Sequence, residues 1–406
     1  MSTDYGEIDY VERYQRRLED SLGPQTSKEI TAPAHYIPVT TVAGVFVSEE
    51  KALNVSAVFA AVRLLSEDIA SLPLHLYFKD GDTRRRAAWR PEYRLLNNRP
   101  NWYQTGMELK EALVASLLLR GNAFCEIERN ARREPIALHF IEPTRVQVKQ
   151  DLRSRRLYFD VDQAGRLEWE DVFFLRAFST DGIHGRGVVT QARESIGLTA
   201  ATERFGADYF GNGANPGGVL QTEKKLKDQD AIDRLRETWN QRHRGRSGGI
   251  AVLEDGMTYK PIGIPPEDSQ FLETRKFQVS EIARWFRIPP HKLGDLERAT
   301  FSNIEEQSME YVRDTLRPWL VRIEQAAQQQ LLPEAVQDSY YFEHMTDALL
   351  RGDIESRYNA YAVGRQNGWL SANEIRKKEN MNPIPDGDQY LLPLNMVETG
   401  EEDGNE

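Results

Sequence analysis

Two long amphipathic segments bracketing a compact, differently patterned insert constrain the fold of this chain more than any other feature. Val189, Ala192, Ile196, Ala200, Phe205 and Phe210 fall at helical spacing, and the run stops at Gly211, Asn212 and Gly213, as helices commonly do at glycine. A second helix is expected over 266–286, with Phe271, Leu272, Val279, Ile282 and Trp285 apolar, and Pro289-Pro290 ends it. Between the two, strands at 218–221 and 249–254 flank a helix at 228–242, extended by a strand-like stretch at 257–262. The pattern is a stalk with a tip. A loop follows over 291–301, long for a connection within a compact protein. Ser302 and Glu305 then form a capping box that starts a helix to about Leu332. Pro318 lies inside it, and the lost backbone bond predicts a kink there.

Upstream, residues 51–187 read as one α+β domain. Asn54 is the expected N-cap of a helix whose Val55, Val58, Phe59, Val62, Leu65 and Ile69 are helically spaced and which Pro73 stops. Leu74 to Lys79 alternates as a strand that Asp80-Gly81 turns. Thr105 and Glu108 cap a helix that Gly121 closes. Strands are expected at 123–129, 136–141, 146–149, 157–161 and 172–177. A short helix at 5–22 and an extended arm precede this domain. Downstream, 340–342 is strand-like, 353–363 and 372–379 are short helices, the second capped by Ser371 and Glu374, and 383–393 is extended.

The chain has 406 residues with 40% hydrophobic and 28% charged side chains, a globular composition. Its amino terminus is polar and charged, unlike a signal peptide, and no apolar run reaches the ~18 residues of a membrane helix. The single cysteine, Cys125, excludes an internal disulfide framework, fits a reducing cytosol, and reads as a buried inert thiol. Net charge is −11. The segment from Glu398 to Glu406 carries five acidic and no basic residues, and the body remains acidic without it. Tight gripping of DNA is therefore disfavoured, because that affinity comes from neutralising phosphates; transient passage is not.

Catalytic signatures are missing. The seven histidines are scattered without paired-ligand spacing, and there is no phosphate-cradling GxxxxGK[ST]. Gly245 to Gly249 spells GxSxG, but a charged helix precedes it and a strand follows, the reverse of a nucleophile elbow. No catalytic, cofactor or metal residue is assigned. Basic residues gather at Lys224, Lys225 and Lys227, and again at Arg242, His243, Arg244 and Arg246, diluted by Asp228, Asp230, Asp233 and Glu237. This is either a solvated surface or a contact for an acidic partner or for phosphate. In the long loop, Lys292 and Arg298 sit near Asp295 and Glu297 beside His291.

The order of phrases along most of the chain resembles the portal proteins of HK97-like tailed phages and phage-like particles. They are AVFAAVRLLSEDIASLP (57–73), LLNNRPN (95–101), Gly121-Asn122-Ala123-Phe124, FGNGANPGGVL (210–220), VLEDGMTYKP (252–261), IARWFRIPP (282–290) and Leu316-Arg317-Pro318. The resemblance implies a non-enzymatic ring, typically a dodecamer, at one capsid vertex of the virion, assembled in the host bacterial cytoplasm. Double-stranded DNA passes through it transiently, and its partners are the major capsid protein, the large terminase and a head–tail adaptor, with no membrane and no cofactor. It implies a wing (51–187), stem helices (188–215 and 266–287), clip (216–265), tunnel loop (288–301), kinked helix with wing return (302–350) and crown (351–395), while the amino-terminal arm (1–50) and the acidic tail (396–406), expected to be disordered, match nothing in the family. His291, Lys292 and Arg298 would then meet DNA, and Lys224, Lys225, Arg242, Arg244 and Arg246 a docking partner. A closed head-to-tail ring would also explain apolar residues on more than one face of the first stem helix, at Val188, Ile196, Leu198, Phe205 and Phe210. Two alternatives remain: another structural head protein such as a capsid or scaffold component, and a metal-dependent nucleic-acid enzyme using Asp228, Asp230 and Asp233.

Overall fold

The computed structural model describes residues 30–31, 40–81, 83–211, 218–221, 230, 232–234, 237, 257–261, 268–295, 309–346, 354–379 and 381–391. These residues form a mixed α+β fold with small antiparallel sheets. They fall into two compact units, one of Met1–Ala299 with Asp314–His344, the other of Thr300–Arg313 with Met345–Glu406.

In the first unit, β1 (Ile30–Thr31) and α1 (Glu49–Ala52) precede α2 (Ser56–Ser71). Asn54 does not cap α2. The chain leaves α1 through Leu53, the Asn54 amide donates back to the Lys51 carbonyl, and Val55 takes the extended N-cap geometry without a side-chain bond. Val58, Val62, Leu65 and Ile69 form the buried stripe of α2, whereas Phe59 is exposed. The extended Leu72 before Pro73 ends the helix.

Next come β2 (Leu74–Asp80), β3 (Thr83–Arg86), α3 (Pro91–Asn97) and α4 (Gly106–Arg120). Both bonds of the Thr105–Glu108 capping box form, and Gly121 closes α4 at φ +85°. That glycine also permits a close crossing. A Cβ on Gly185 would lie 1.9 Å from the Gly121 carbonyl oxygen, so neither position admits a side chain without displacing backbone. The strands β4 (Asn122–Arg129), β5 (Pro135–Ile141), β6 (Val146–Gln150), β7 (Leu157–Val161), β8 (Gly165–Glu168) and β9 (Val172–Arg176) follow. They form two sheets, ordered β5-β4-β9 and β1-β6-β7-β8. Between these sheets, Phe124 and Phe174 stack at 4.9 Å and Phe159 meets both edge-on, within a core of Ile141, Val146, Val148, Val161 and Val172. Cys125 is fully buried, and burial raises its thiol far above the ordinary range.

The excursion consists of α5 (Val188–Gln191), α6 (Arg193–Gly211), β10 (Gly218–Gln221), β11 (Thr258–Pro261) and α7 (Asp268–Phe286). Strands β10 and β11 pair antiparallel, Gly218 opposite Pro261 and Gln221 opposite Thr258. A π-helical turn, Tyr311–Leu316, leads into α8 (Arg317–Leu331). Pro318 therefore lies in the first turn of the regular helix, where its missing N–H costs little, and the wide turn before it relieves the clash with the Asp314 carbonyl. Strand β12 (Tyr340–His344) then pairs with β2, Tyr340 opposite Phe78 and His344 opposite Leu74, giving a third sheet ordered β12-β2-β3.

The second unit contains α9 (Ile354–Gln366) and α10 (Ala372–Lys378), the latter with both capping-box bonds of Ser371 and Glu374 formed. Asn373 exchanges hydrogen bonds with Ile384, and Arg357 pairs with Glu379. Among residues 357–379 and 381–391, no apolar side chain is buried.

Strand β9 is an edge that α8 seals. The buried Gln330 side chain accepts from the Phe174 amide at 2.6 Å and donates to the Phe174 carbonyl at 2.9 Å, standing in for a neighbouring strand. Replacing it with alanine strands two buried backbone groups, each worth about 1–3 kcal/mol. Gln330→Ala should cost about 3 kcal/mol in urea unfolding followed by near-UV circular dichroism; a loss below about 0.5 kcal/mol would mean water replaces the side chain.

Burial, helped by the charge of Arg86, pushes the imidazole of His75 in β2 down to about 4. Folding therefore favours its neutral form, and the stability this contributes is present above the unfolded value near 6.5 and fades as pH falls towards 4. His75→Gln should flatten the fall of melting temperature between those limits; an unchanged slope would assign the acid sensitivity elsewhere.

Candidate functional site: the paired helices and the base of the long loop

The geometry around the two long helices follows from three polar contacts. The Trp285 indole Nε1 donates to Ser195 Oγ at 3.1 Å, Gln278 Nε2 donates to Thr202 Oγ1 at 2.9 Å, and Arg275 pairs with Glu203 at 3.3 Å. As α7 descends in number, α6 ascends, so the helices run antiparallel. Ile196, Ile282, Ala283, Phe286 and Ile288 are buried near the base of the pair, where α7 also packs on α2. Leu198, Phe205 and Phe277 remain 55%, 52% and 62% exposed. Single exposed apolar residues are ordinary, but these recur along two paired helices.

Tight turns close the C-terminal end of α7, at the base of the pair. Arg287 adopts φ +57°, and the Ile288 amide donates to the Ala283 carbonyl. Pro289 and Pro290 forbid further helix. The loop does not leave as free chain. Pro290–Leu293 forms a 3-10 turn, Gly294 takes φ +89°, and the Asp295 amide returns to the Pro290 carbonyl. Ser280 Oγ on α7 donates to Asp295 Oδ2 at 2.9 Å, and Thr315 Oγ1 donates to the Arg287 carbonyl, tying the returning strand of chain to the same corner. His291 is half-buried, with Nε2 enclosed and without a hydrogen-bond partner. Burial and the adjacent Lys292 charge lower its pKa, favouring the neutral ring. Lys292 is exposed.

His291 and Lys292 thus sit side by side on a pinned turn. Arg298 lies outside the described residues, as do Lys224, Lys225, Arg242, Arg244, Arg246, Asp228 and the GxSxG stretch. The cross-helix pairs and the Ser280–Asp295 tie were not singled out from the sequence. Trp285 read as one more apolar position, and only its indole N–H signalled a required partner.

Residues 56–380 match the family described as phage portal protein. The chain belongs to the phage portal protein family. It is 36% identical over 380 residues to the probable portal protein of Streptomyces phage phiC31, covering 88% of this chain and 82% of that one. To the portal protein of Enterobacteria phage HK97 it is 31% identical over 377 residues, covering 88% and 87%. The fold is similar to that of an HK97-family phage portal protein from Corynebacterium diphtheriae, with a TM-score of 0.59 at 21% identity, covering 79% of this chain and 99% of that one. It is similar also to a chain in the neck of a native gene transfer agent particle computed with C12 symmetry, with a TM-score of 0.55 at 22% identity, covering 86% and 96%. As a portal protein the chain is structural and not an enzyme, which removes the nuclease and capsid alternatives. Among the described residues, no cluster of three or more His, Cys, Asp or Glu is placed to hold a metal ion.

The pinned loop base of this portal protein generates a prediction. Ser280→Ala removes one bond of about 1 kcal/mol. Amide exchange over 292–295 should accelerate about fivefold while amides in α4 stay unchanged. Equal protection in both proteins would show that the proline-bounded turn holds itself.

Proposed function

We propose that this portal protein forms a ring, a dodecamer in the particle, at one capsid vertex, and that double-stranded DNA is packaged and ejected through its axis. The observation that carries this reading is the antiparallel pair α6–α7, with apolar side chains facing outwards on both helices and a pinned loop at one end. In a head-to-tail ring each pair has a neighbour on either side, which gives Leu198, Phe205 and Phe277 somewhere to go. The solved neck computed with C12 symmetry supports twelve copies.

On this reading, 51–187 is the wing, 188–215 and 266–287 the stem, 216–265 the clip, 288–301 the tunnel loop, 302–350 the kinked helix with wing return, and 351–395 the crown. His291, Lys292 and Arg298 meet DNA in the channel. Lys224, Lys225, Arg242, Arg244 and Arg246 of the clip dock the large terminase during packaging and a head–tail adaptor afterwards, while the major capsid protein surrounds the ring. The acidic balance of the chain supports passage over retention, since each neutralised phosphate strengthens binding and acts as a brake. Assembly takes place in the host bacterial cytoplasm, and the finished ring resides in the virion.

Native mass spectrometry with negative-stain imaging tests the ring. About a dozen copies around a hole are expected, and absence of the protein from a single particle vertex would overturn the reading. For the loop, the Lys292→Ala, Arg298→Ala double variant should still form rings but package or retain less DNA. Normal packaging and retention would remove these residues from the channel.

A further inference from the structure

The outer face of the sheet β12-β2-β3 gathers cations in an otherwise acidic chain. Strand β2 buries Leu74 and Leu76 and turns His75, Tyr77 and Lys79 the other way. Register places Tyr341 and Glu343 of β12 on that face, opposite Tyr77 and His75. It also places Arg84 opposite Lys79 and Arg86 opposite Tyr77. All four residues of β3 are exposed. The Arg84 guanidinium lies 4.8 Å over the Tyr77 ring, donates to the Tyr341 hydroxyl at 3.2 Å and pairs with Glu343 at 2.6 Å. Arg86 lies 5.1 Å over Tyr93 and donates to its hydroxyl, and the Lys79 ammonium lies 5.4 Å over Tyr341. Tyr77 and Tyr341 stack at 5.5 Å. Three cations thus share the face with one carboxylate.

Charge on an edge strand discourages edge-to-edge pairing, and that alone would account for exposed arginines. It does not account for guanidiniums held over aromatic rings. Such ordering lowers the entropy lost when a planar donor meets an oxyanion. Tyr77 and Tyr341 are half-buried and Tyr93 is buried beneath the cations, so a ligand meets N–H donors and not an open platform for base stacking. The face is therefore suited to a backbone of phosphates and carries nothing that reads sequence.

We propose that this face is a sequence-independent binding surface for the phosphate backbone of duplex DNA, contacted by Lys79, Arg84 and Arg86. The choice of DNA as the polyanion rests on the portal reading; the cationic face does not. It uses none of the residues assigned to the loop at 291–301.

The test measures binding of a fluorescent 30-base-pair duplex to the full-length protein across a salt series. Arg84→Gln with Arg86→Gln should weaken binding about tenfold near 0.1 M salt and lower the salt slope by about 2, one contact contributing about 0.9. Arg132→Gln with Arg133→Gln removes the same charge elsewhere and should leave the slope unchanged. Equal losses in both variants, or an unaltered slope in the first, would overturn the surface. So would polyglutamate competing as strongly as the duplex, which would assign the face to an acidic protein. Should the double variant fail to fold, Lys79→Gln gives the same reading through a slope lowered by about 1. Ring formation separates the two proposals. Normal rings with unchanged duplex binding overturn this surface alone, and duplex binding by a protein that never forms rings overturns the channel alone.

Discussion

The fold depends on a closure made late in the chain. Helix α8 and strand β12 come after the whole excursion through α6, β10, β11 and α7, yet they complete two sheets begun far upstream. Gln330 bonds both backbone groups of Phe174, and Arg322 reaches the Ala177 carbonyl. Strand β12 adds five residue pairs to β2. Without these contacts β9 would present an open edge and β2 would keep only β3, a two-stranded ribbon of marginal stability. The unit is a closed body from which a long insert emerges, and the insert is held at both roots.

That arrangement determines what the paired helices can do. A helix pair tethered at one point would swing. Here α7 packs on α2, its end is fixed by Ile288 and the proline turn, and the chain returning from the long loop is tied to the same corner through Thr315. The polar cross-links Trp285–Ser195, Gln278–Thr202 and Arg275–Glu203 fix the register of α6 against α7. They leave the apolar positions Leu198, Phe205 and Phe277 to face outwards. Hydrogen bonds specify the pair internally, and hydrophobic burial remains available for association, a division that suits a subunit meeting identical neighbours.

What was legible in the sequence was what local chemistry dictates. The capping boxes at Thr105 and Ser371 and the glycine stop at Gly121 can be read from a few neighbouring residues, and each forms. Asn54 misled for the same reason: cap chemistry was present, but the preceding short helix α1 used the neighbouring backbone and moved the cap to Val55. The portal family itself was legible because its phrases extend along most of the chain. The pairing of β12 with β2 and the role of Gln330 were not, since both depend on partners more than 150 residues away. Strand β3 escaped notice because three consecutive arginines carry no alternation of apolar and polar residues. The first residues of the long loop read simply as loop, yet Pro290 to Leu293 is a bonded turn. Two prolines restrict such a segment so strongly that their presence argues for order as much as for a break.

Charge placement links these features. The chain carries 63 acidic and 52 basic residues, so a polyanion approaching it meets a repulsive average field, screened beyond about 10 Å at moderate salt. Contact with phosphate then depends on where a few cations are concentrated and how firmly they are held. A cation at the end of a long loop can follow a moving duplex, because its side-chain freedom is not spent in advance. A guanidinium laid over a tyrosine has already lost that freedom, so it holds a phosphate longer once met. Arg84 and Arg86 belong to the second kind by their ring contacts, whereas Lys292 is exposed on a short bonded turn. In an acidic subunit, that difference in preorganisation separates cations that release a phosphate readily from cations that hold one.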